Sequence, residues 1–163
     1  MPNLILYSVF DKQAKINFER NVIQGINIKD LKSIVSEDIL ECNNENSLCF
    51  WGCKNSDYYK PKVKKIKSGD SIAFAKDRNF FITANIANVI ESKELARYLF
   101  NDEIYSYIFK LENVREINIS YQKLFKELGY ASNLKVNGLF LVNDMRSDRF
   151  FSKYGSIDSI SDN

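Results

Sequence analysis

Residues 3–10 read NLILYSVF, and an octapeptide with apolar side chains on both parities suits a strand covered on both of its faces. Such a strand needs a hydrogen-bonded neighbour on each side and further elements packed above and below it. The rest of the chain supplies candidates for both. Asp11 can cap a helix whose inner face is Ala14, Phe18 and Val22 and which ends before Gly25. A short helix is expected within 28–36, a polar loop around 43–46, and a strand over 47–53, SLCFWGC. The stretch 55–70, with five lysines between Lys60 and Lys67, reads as a long irregular segment. Residues 71–76 and 79–90 read as strands joined at Lys76-Asp77-Arg78, a hairpin of uneven register. Ser92 can cap a helix with Leu95, Leu99 and Phe100 inward, and 105–111 and 114–119 read as two more strands. Ser120 opens a helix with Tyr121, Leu124, Phe125 and Leu128 at i, i+3, i+4 and i+7, stopped by Gly129. A short strand near 138–142 and a frayed helix near 146–154 follow, and the polar tail 156–163 is expected to be mobile.

About six strands and three or four helices, without regular alternation, argue against a doubly wound sheet. The expected fold class is α+β: a small twisted, barrel-like sheet with peripheral helices. Two prolines, six glycines and no Gly/Ser linker predict a single domain over 1–155.

Composition narrows the chemistry. With 45% hydrophobic and 27% charged residues the chain has the profile of a soluble globular protein, and no run of eighteen apolar residues could span a membrane. The N-terminus lacks a basic region followed by a long apolar stretch, so no secretory signal is expected. Cys42, Cys49 and Cys53 leave an odd thiol and no CxxC, which predicts reduced cysteines and a cytoplasmic setting. Histidine is absent, which removes Ser-His and Cys-His nucleophiles and Cys2His2 zinc together. Basic and acidic residues nearly balance, 23 against 21, so any nucleic-acid binding must come from local clustering.

Three constellations carry chemistry. Asp70 followed by Glu91-Ser92-Lys93 matches the acid and E-x-K pattern of Mg²⁺-dependent nucleases, where two carboxylates hold the metal and a lysine steadies the attacking water. The commoner reading of these residues is structural, with Gly69-Asp70 a turn pair and Glu91 to Lys93 a solvated strand-to-helix junction. Lys60, Lys62, Lys64, Lys65 and Lys67, beside Tyr58 and Tyr59, form either a solvated loop or a phosphate-binding run whose rings pack on sugar or base. Trp51, the only tryptophan, is either a core residue or the wall of a cavity. Strand alternation puts it on the face of Cys49 and Cys53 and puts Phe50 on the other, with Tyr107 a candidate second wall.

The segments LYSVF, FWG, GDSIAFAKDRNFFITANI, YIFKLENVREINISYQKLFKELGY and VNGLF, in that order, resemble the EVE/YTH-like branch of the PUA superfamily. Within it the likeness is to the modified-base-reading domains at the N-terminus of McrB-type modification-dependent restriction proteins, and it covers about residues 4–142. The resemblance implies a PUA-like β-barrel and a cage that accepts a methylated or otherwise modified base extruded from DNA. It places Trp51 in FWGCKNS at one wall of the cage, and Tyr107 in YIFKL at a position where related YTH domains carry a second tryptophan. It assigns base-edge contacts to Ser8, Phe10, Asp11, Cys53 and Asn55, and phosphate contacts to Lys60, Lys62, Lys64, Lys65 and Arg78, with Phe74 beneath the cage as core. No catalytic residue, metal or cofactor is implied. The implied partners are DNA bearing a modified base and a fused or separate restriction effector. DNA is preferred to RNA only through the restriction-like resemblance; a YTH-type RNA-modification reader and the Asp70/Glu91/Lys93 nuclease are the alternatives.

Overall fold

The computed structural model describes residues 2–41 and 46–162; Cys42 and most of the polar 43–46 stretch lie outside them. Its strands are β1 (Leu4–Ser8), β2 (Ile26–Asn27), β3 (Ser47–Cys53), β4 (Ser71–Lys76), β5 (Asn79–Glu91), β6 (Tyr107–Ser120) and β7 (Leu139–Leu141). Its helices are α1 (Lys12–Phe18), α2 (Ile28–Leu31), α3 (Glu37–Leu40), α4 (Lys60–Val63), α5 (Lys93–Phe100), α6 (Tyr121–Leu128) and α7 (Asp144–Tyr154). The architecture is mixed α+β. The strand order β2-β3-β6-β5-β4-β1-β7 corrects the expected barrel of about six strands: among the described residues there are seven, in an open sheet. Closure would require β2 to pair with β7, and strands of two and three residues offer too few backbone groups for a ladder. No helix among the described residues is long and apolar enough to cross a membrane.

The chain divides into two compact units. The first comprises 1–10, 69–85 and 113–163. Here β1 is parallel to β4, Leu4 opposite Ser71, and antiparallel to β7, Tyr7 opposite Leu139. Leu4, Ile5 and Leu6 are wholly buried, as a strand with neighbours on both sides requires. The β4–β5 hairpin turns on Asp77 and Arg78, both left-handed at φ 53° and 61°, the two-residue geometry whose twist matches paired strands. Its register shifts between Phe74 and Ala75, so that Ala75 faces Phe80 while Phe74 faces Ile82 and Phe81 is the extra residue. Leu4, Leu6, Ala73, Ala75 and Phe80 pack with Leu124, Phe125 and Leu128 of α6 and Phe150 of α7. Both helices start where a side chain takes up orphan N–H groups: Ser120 accepts from Lys123, and Asn143 from Met145 and Arg146. Arg146 then donates to the carbonyls of Leu128 and Gly129 at 3.0 and 2.6 Å, which caps the end of α6 with a cation.

The tail is part of this core. Residues 157–160 form a 3-10 turn that buries Ile157 and Ile160, and Arg115 grips Asp158 through two bonds of 2.7 and 2.6 Å. Asp162 adds an ion pair to Lys123 at 2.8 Å. The expectation of mobility rested on polar composition, whereas two buried isoleucines and ion pairs to Arg115 and Lys123 hold the tail in place.

The second unit comprises 11–68 and 86–112. Asp11 caps α1 by accepting from Ala14 at 2.8 Å, and the helix widens into a π-helical segment over Glu19–Gln24. That segment closes on the C-terminal end of α5, where Arg20 donates to Tyr98 O and Asn21 to Leu99 O. Ser92 caps α5 by accepting from Leu95. The two strands expected over 105–111 and 114–119 are one strand, β6, which absorbs its irregularity at Asn113, φ 56°. The lysine segment expected to be irregular holds α4, anchored by buried Val63 and followed by buried Ile66.

The bonds from Arg115 hold the Asp158 carboxyl below the usual carboxylate range; burial opposes this and the guanidinium charge adds to it. A lowered carboxyl contributes stability that is complete above its unfolded value of about 3.9 and is lost as pH falls through the lower folded value. Wild type should therefore protect the 156–162 amides from hydrogen exchange better than Arg115→Gln at neutral pH, and that difference should shrink as pH falls below the unfolded carboxyl value of about 3.9. Equal protection in the two proteins at pH 7 would contradict this account.

Candidate nucleic-acid interface

The register of β3 on β6 decides which side chains meet in the second unit. Cys53 lies opposite Tyr107, Trp51 opposite Phe109 and Phe50 opposite Lys110. Directly opposed residues point to the same side of an antiparallel pair, so Trp51, Cys53, Tyr107 and Phe109 share one face. Trp51 and Tyr107 are diagonal neighbours on that face. Both are largely covered: Trp51 is 4% exposed and Tyr107 8%. The indole is met edge-on by Phe18 at 5.4 Å and Phe100 at 5.5 Å between centroids. Gly52 belongs to the same packing, because a Cβ there would lie 2.8 Å from Phe100 Cε2 and 3.1 Å from the Tyr105 carbonyl oxygen. The room that glycine leaves is taken by a phenylalanine edge.

Beyond β3 the chain runs along the outside of this ring cluster. The main-chain N–H of Asn55 donates to Ile104 O at 2.7 Å, and its side-chain amide donates to Glu91 Oε1 and Ser106 Oγ, both at 3.1 Å. Tyr58 is 65% exposed, with its ring edge-to-face against Tyr59 at 5.0 Å and Lys62 Nζ 3.7 Å from its centroid. Tyr105 packs on Phe100 at 5.5 Å, and Lys54 Nζ stands 6.0 Å from the Tyr105 ring. Burial pushes the Cys53 thiol up to about 12, so it is a neutral S–H rather than a nucleophile. Burial likewise raises Tyr107, with Glu91, Cys53 and Asp57 adding to it, and raises Tyr59, with Cys53, Tyr58 and Tyr105 adding to it. Both phenols therefore stay protonated and can donate as well as accept.

Lys60, Lys64 and Lys65 are exposed around α4, while Lys62 is half-buried against Tyr58 and donates to its carbonyl at 3.2 Å. Lys60 and Lys64 are four residues apart, so these two exposed lysines are neighbours on the turn that Val63 anchors. The second unit thus brings together Trp51, Cys53, Asn55, Tyr107 and the lysines.

Three expected site residues lie in the first unit. Ser8 ends β1 half-buried, its N–H donating to Gly138 O at 3.3 Å. Phe10 is 67% exposed, and the Arg78 guanidinium sits 5.4 Å from the Tyr121 ring centroid. Asp11, at the start of the second unit, is the α1 cap.

The nuclease pattern is differently employed. Asp70 is wholly buried, with one oxygen accepting from Asn3 N at 2.8 Å and the other from Asn3 Nδ2 at 2.9 Å. Glu91 is occupied with Asn55. Among the described residues no group of three or more His, Cys, Asp or Glu could hold a metal ion. Sequence reading did not find Phe18 and Phe100 as the flanks of Trp51, or Glu91 and Ser106 as the supports of Asn55. Helical periodicity marks the two phenylalanines as core without saying which ring they touch.

No protein-family model and no curated protein matches the chain at the level of sequence. The likeness to solved structures is one of fold. The N-terminal domain of Thermococcus gammatolerans McrB, bound to m5C DNA, aligns with a TM-score of 0.74 over 93% of this chain and 96% of that one, at 18% identity. This chain has the fold of that domain. ASCH from Zymomonas mobilis aligns over 91% of this chain and 94% of its own at 9% identity, with a TM-score of 0.47, too loose to bear on the site.

Two outcomes follow from the packing around β3. Gly52→Ala should destabilise the chain by about 1–3 kcal/mol through overpacking against Phe100, read as a lower urea midpoint with an unchanged slope. Cys53 should resist alkylation by iodoacetamide at pH 8 in the folded chain and react on unfolding, as followed by mass spectrometry; rapid modification of the native thiol would contradict its burial.

Proposed function

We propose that this chain is a DNA-binding specificity domain of the EVE/YTH-like, PUA-superfamily kind. In this reading it recognises a modified base extruded from DNA, has no catalytic step of its own, and serves a modification-dependent restriction effector, fused or separate, in the cytoplasm. The observation that carries the reading is the fold shared along nearly the whole chain with a domain captured on m5C DNA. The polar and aromatic cluster at the end of β3, flanked by the lysines of α4, supports it.

Extruding a base costs a few kcal/mol of pairing and stacking, and stacking on an aromatic ring returns about 1–3 kcal/mol. Trp51 and Tyr107 are the proposed stacking rings, Cys53 and Asn55 the proposed base-edge contacts. Since both rings are nearly covered, the base must displace part of their cover, and the edge contacts of Phe18 and Phe100 with Trp51 are worth about 0.5–1.5 kcal/mol each. Opening therefore lowers apparent affinity by the fraction of chains that are open, and a base that fills the slot poorly cannot offset it. A buried methyl adds about 0.8 kcal/mol, too little to discriminate alone, so unpaired polar groups must reject the wrong base. Lys60, Lys64 and Lys65 would hold the flanking phosphates.

Fluorescence anisotropy with matched duplexes carrying 5-methylcytosine, 5-hydroxymethylcytosine, N6-methyladenine or no mark, with a modified RNA as a further arm, tests the reading. Wild type should prefer one marked duplex by about tenfold or more, and Trp51→Phe, which keeps the packing but reduces the stacking area, should lower that preference. Lys60→Ala with Lys64→Ala should weaken all duplexes alike and flatten the log–log salt slope by about 1.8. Equal affinity for marked and unmarked DNA in wild type would overturn the proposal, and preference for the modified RNA would redirect it.

A further inference from the structure

Two rings close over Trp51, and each ends a helix: Phe18 is the last residue of α1 and Phe100 the last of α5. The final carbonyls of a helix have no partner within it. At the end of α5, Asn101, left-handed at φ 55°, gives its N–H to Arg97 O. The next two carbonyls are taken from outside. Arg20 Nη1 donates to Tyr98 O at 3.3 Å, with its guanidinium carbon 5.0 Å from the Tyr98 ring centroid, and Asn21 Nδ2 donates to Leu99 O at 2.8 Å. The cation also meets the negative end of the α5 dipole. Both donors lie in the π-helical segment that begins directly after Phe18. The tie thus joins the neighbours of one ring to the neighbours of the other, and a backbone shift that lifts either ring off the indole strains or breaks it.

The closed arrangement also carries a cost. Asn21 is wholly buried, and no described residue donates to its Oδ1. An unpaired buried acceptor destabilises the state that contains it. The π winding, whose hydrogen bonds run from i to i+5, is a rare geometry found mostly as single turns at functional sites. Rewinding that turn to α pitch would carry Asn21 away from Leu99 O and relieve both costs while it frees the cover. A side chain that holds a state together and penalises it suits an element with two accessible arrangements. We propose that Arg20 and Asn21 are positioning residues that latch the two-ring cover over Trp51, so that the tie between the π-helical segment and the end of α5 sets the fraction of chains whose base slot is open. The inference rests on the base-reading function proposed above and names the regulation of that site.

Trp51 is the only tryptophan, so its indole N–H gives a single NMR resonance whose exchange with deuterium can be followed without DNA. Where closing outpaces exchange, that rate is proportional to the open fraction. Arg20→Ala and Asn21→Leu should each speed it on the order of two- to tenfold, the effect of one lost hydrogen bond. The same factor should appear in the ratio of affinities for the preferred marked duplex and its unmarked counterpart, because apparent affinity scales with the open fraction. Taking the ratio removes the effect of the Arg20 charge on DNA binding as such. Arg20→Lys keeps a cation and a donor and should return both readouts towards wild type. Circular dichroism and urea midpoints check folding, and the exposed Arg20 carries the experiment if Asn21→Leu does not fold. Unchanged exchange in folded Arg20→Ala overturns the latch, as does faster exchange with an unchanged or lower affinity ratio; either leaves the DNA-reading function standing if wild type prefers marked DNA. A wild type without that preference overturns the base-reading function and, with it, the latch, whatever the exchange rate.

Discussion

The antiparallel ladder between β3 and β6 is the constraint on which the second unit depends. Side chains alternate along a strand, so a slip of one residue would turn Trp51 and Cys53 to the face of Phe50 and Gly52 and would part Trp51 from Tyr107. What resists the slip is the burial on both faces. Phe50 is wholly covered on one, and on the other Trp51 is wedged between rings from α1 and α5. Lys110 adds a polar pin: its ammonium reaches the carbonyls of Ile39 and Glu41 at 2.7 and 2.8 Å, on the face that Phe50 occupies. Because the register holds, Tyr107 stands opposite Cys53, and Asn55 follows two residues later within reach of Glu91 and Ser106.

Local chemistry made much of the fold legible. Asp11, Ser92 and Ser120 read as helix caps because a short side chain with an oxygen precedes an amphipathic run, and each accepts the hydrogen bond expected of it. The apolar octapeptide at the start read as a central strand for the same reason that it is one. What escaped were features set by distant packing. Whether a sheet closes depends on how its outermost strands meet: β7 was legible near 138–142, but the two-residue β2 is too brief to leave a pattern. The break expected between 111 and 114 is a single left-handed asparagine inside a continuous strand, which the sequence cannot distinguish from a turn. Lys60 to Lys67 reads as a charge run, and only the burial of Val63 and Ile66 shows the helical turn within it.

The site was legible as residue types more than as geometry. Alternation put Trp51 and Cys53 on one face, and the register adds Tyr107 to it. Their burial was not legible, because Phe18 and Phe100 lie far from Trp51 in sequence. Glu91 shows the limit most plainly. A carboxylate beside a helix start reads first as a solvated junction and only weakly as a metal ligand, and neither suggests that it orients an amide thirty-six residues earlier.

The brevity of the outer strands has a further consequence. An open sheet ordinarily exposes two rows of unpaired backbone groups that a second molecule can extend by adding its own strand. Here the outermost strands are two and three residues long, so a strand added to either of them would find a template too small to propagate.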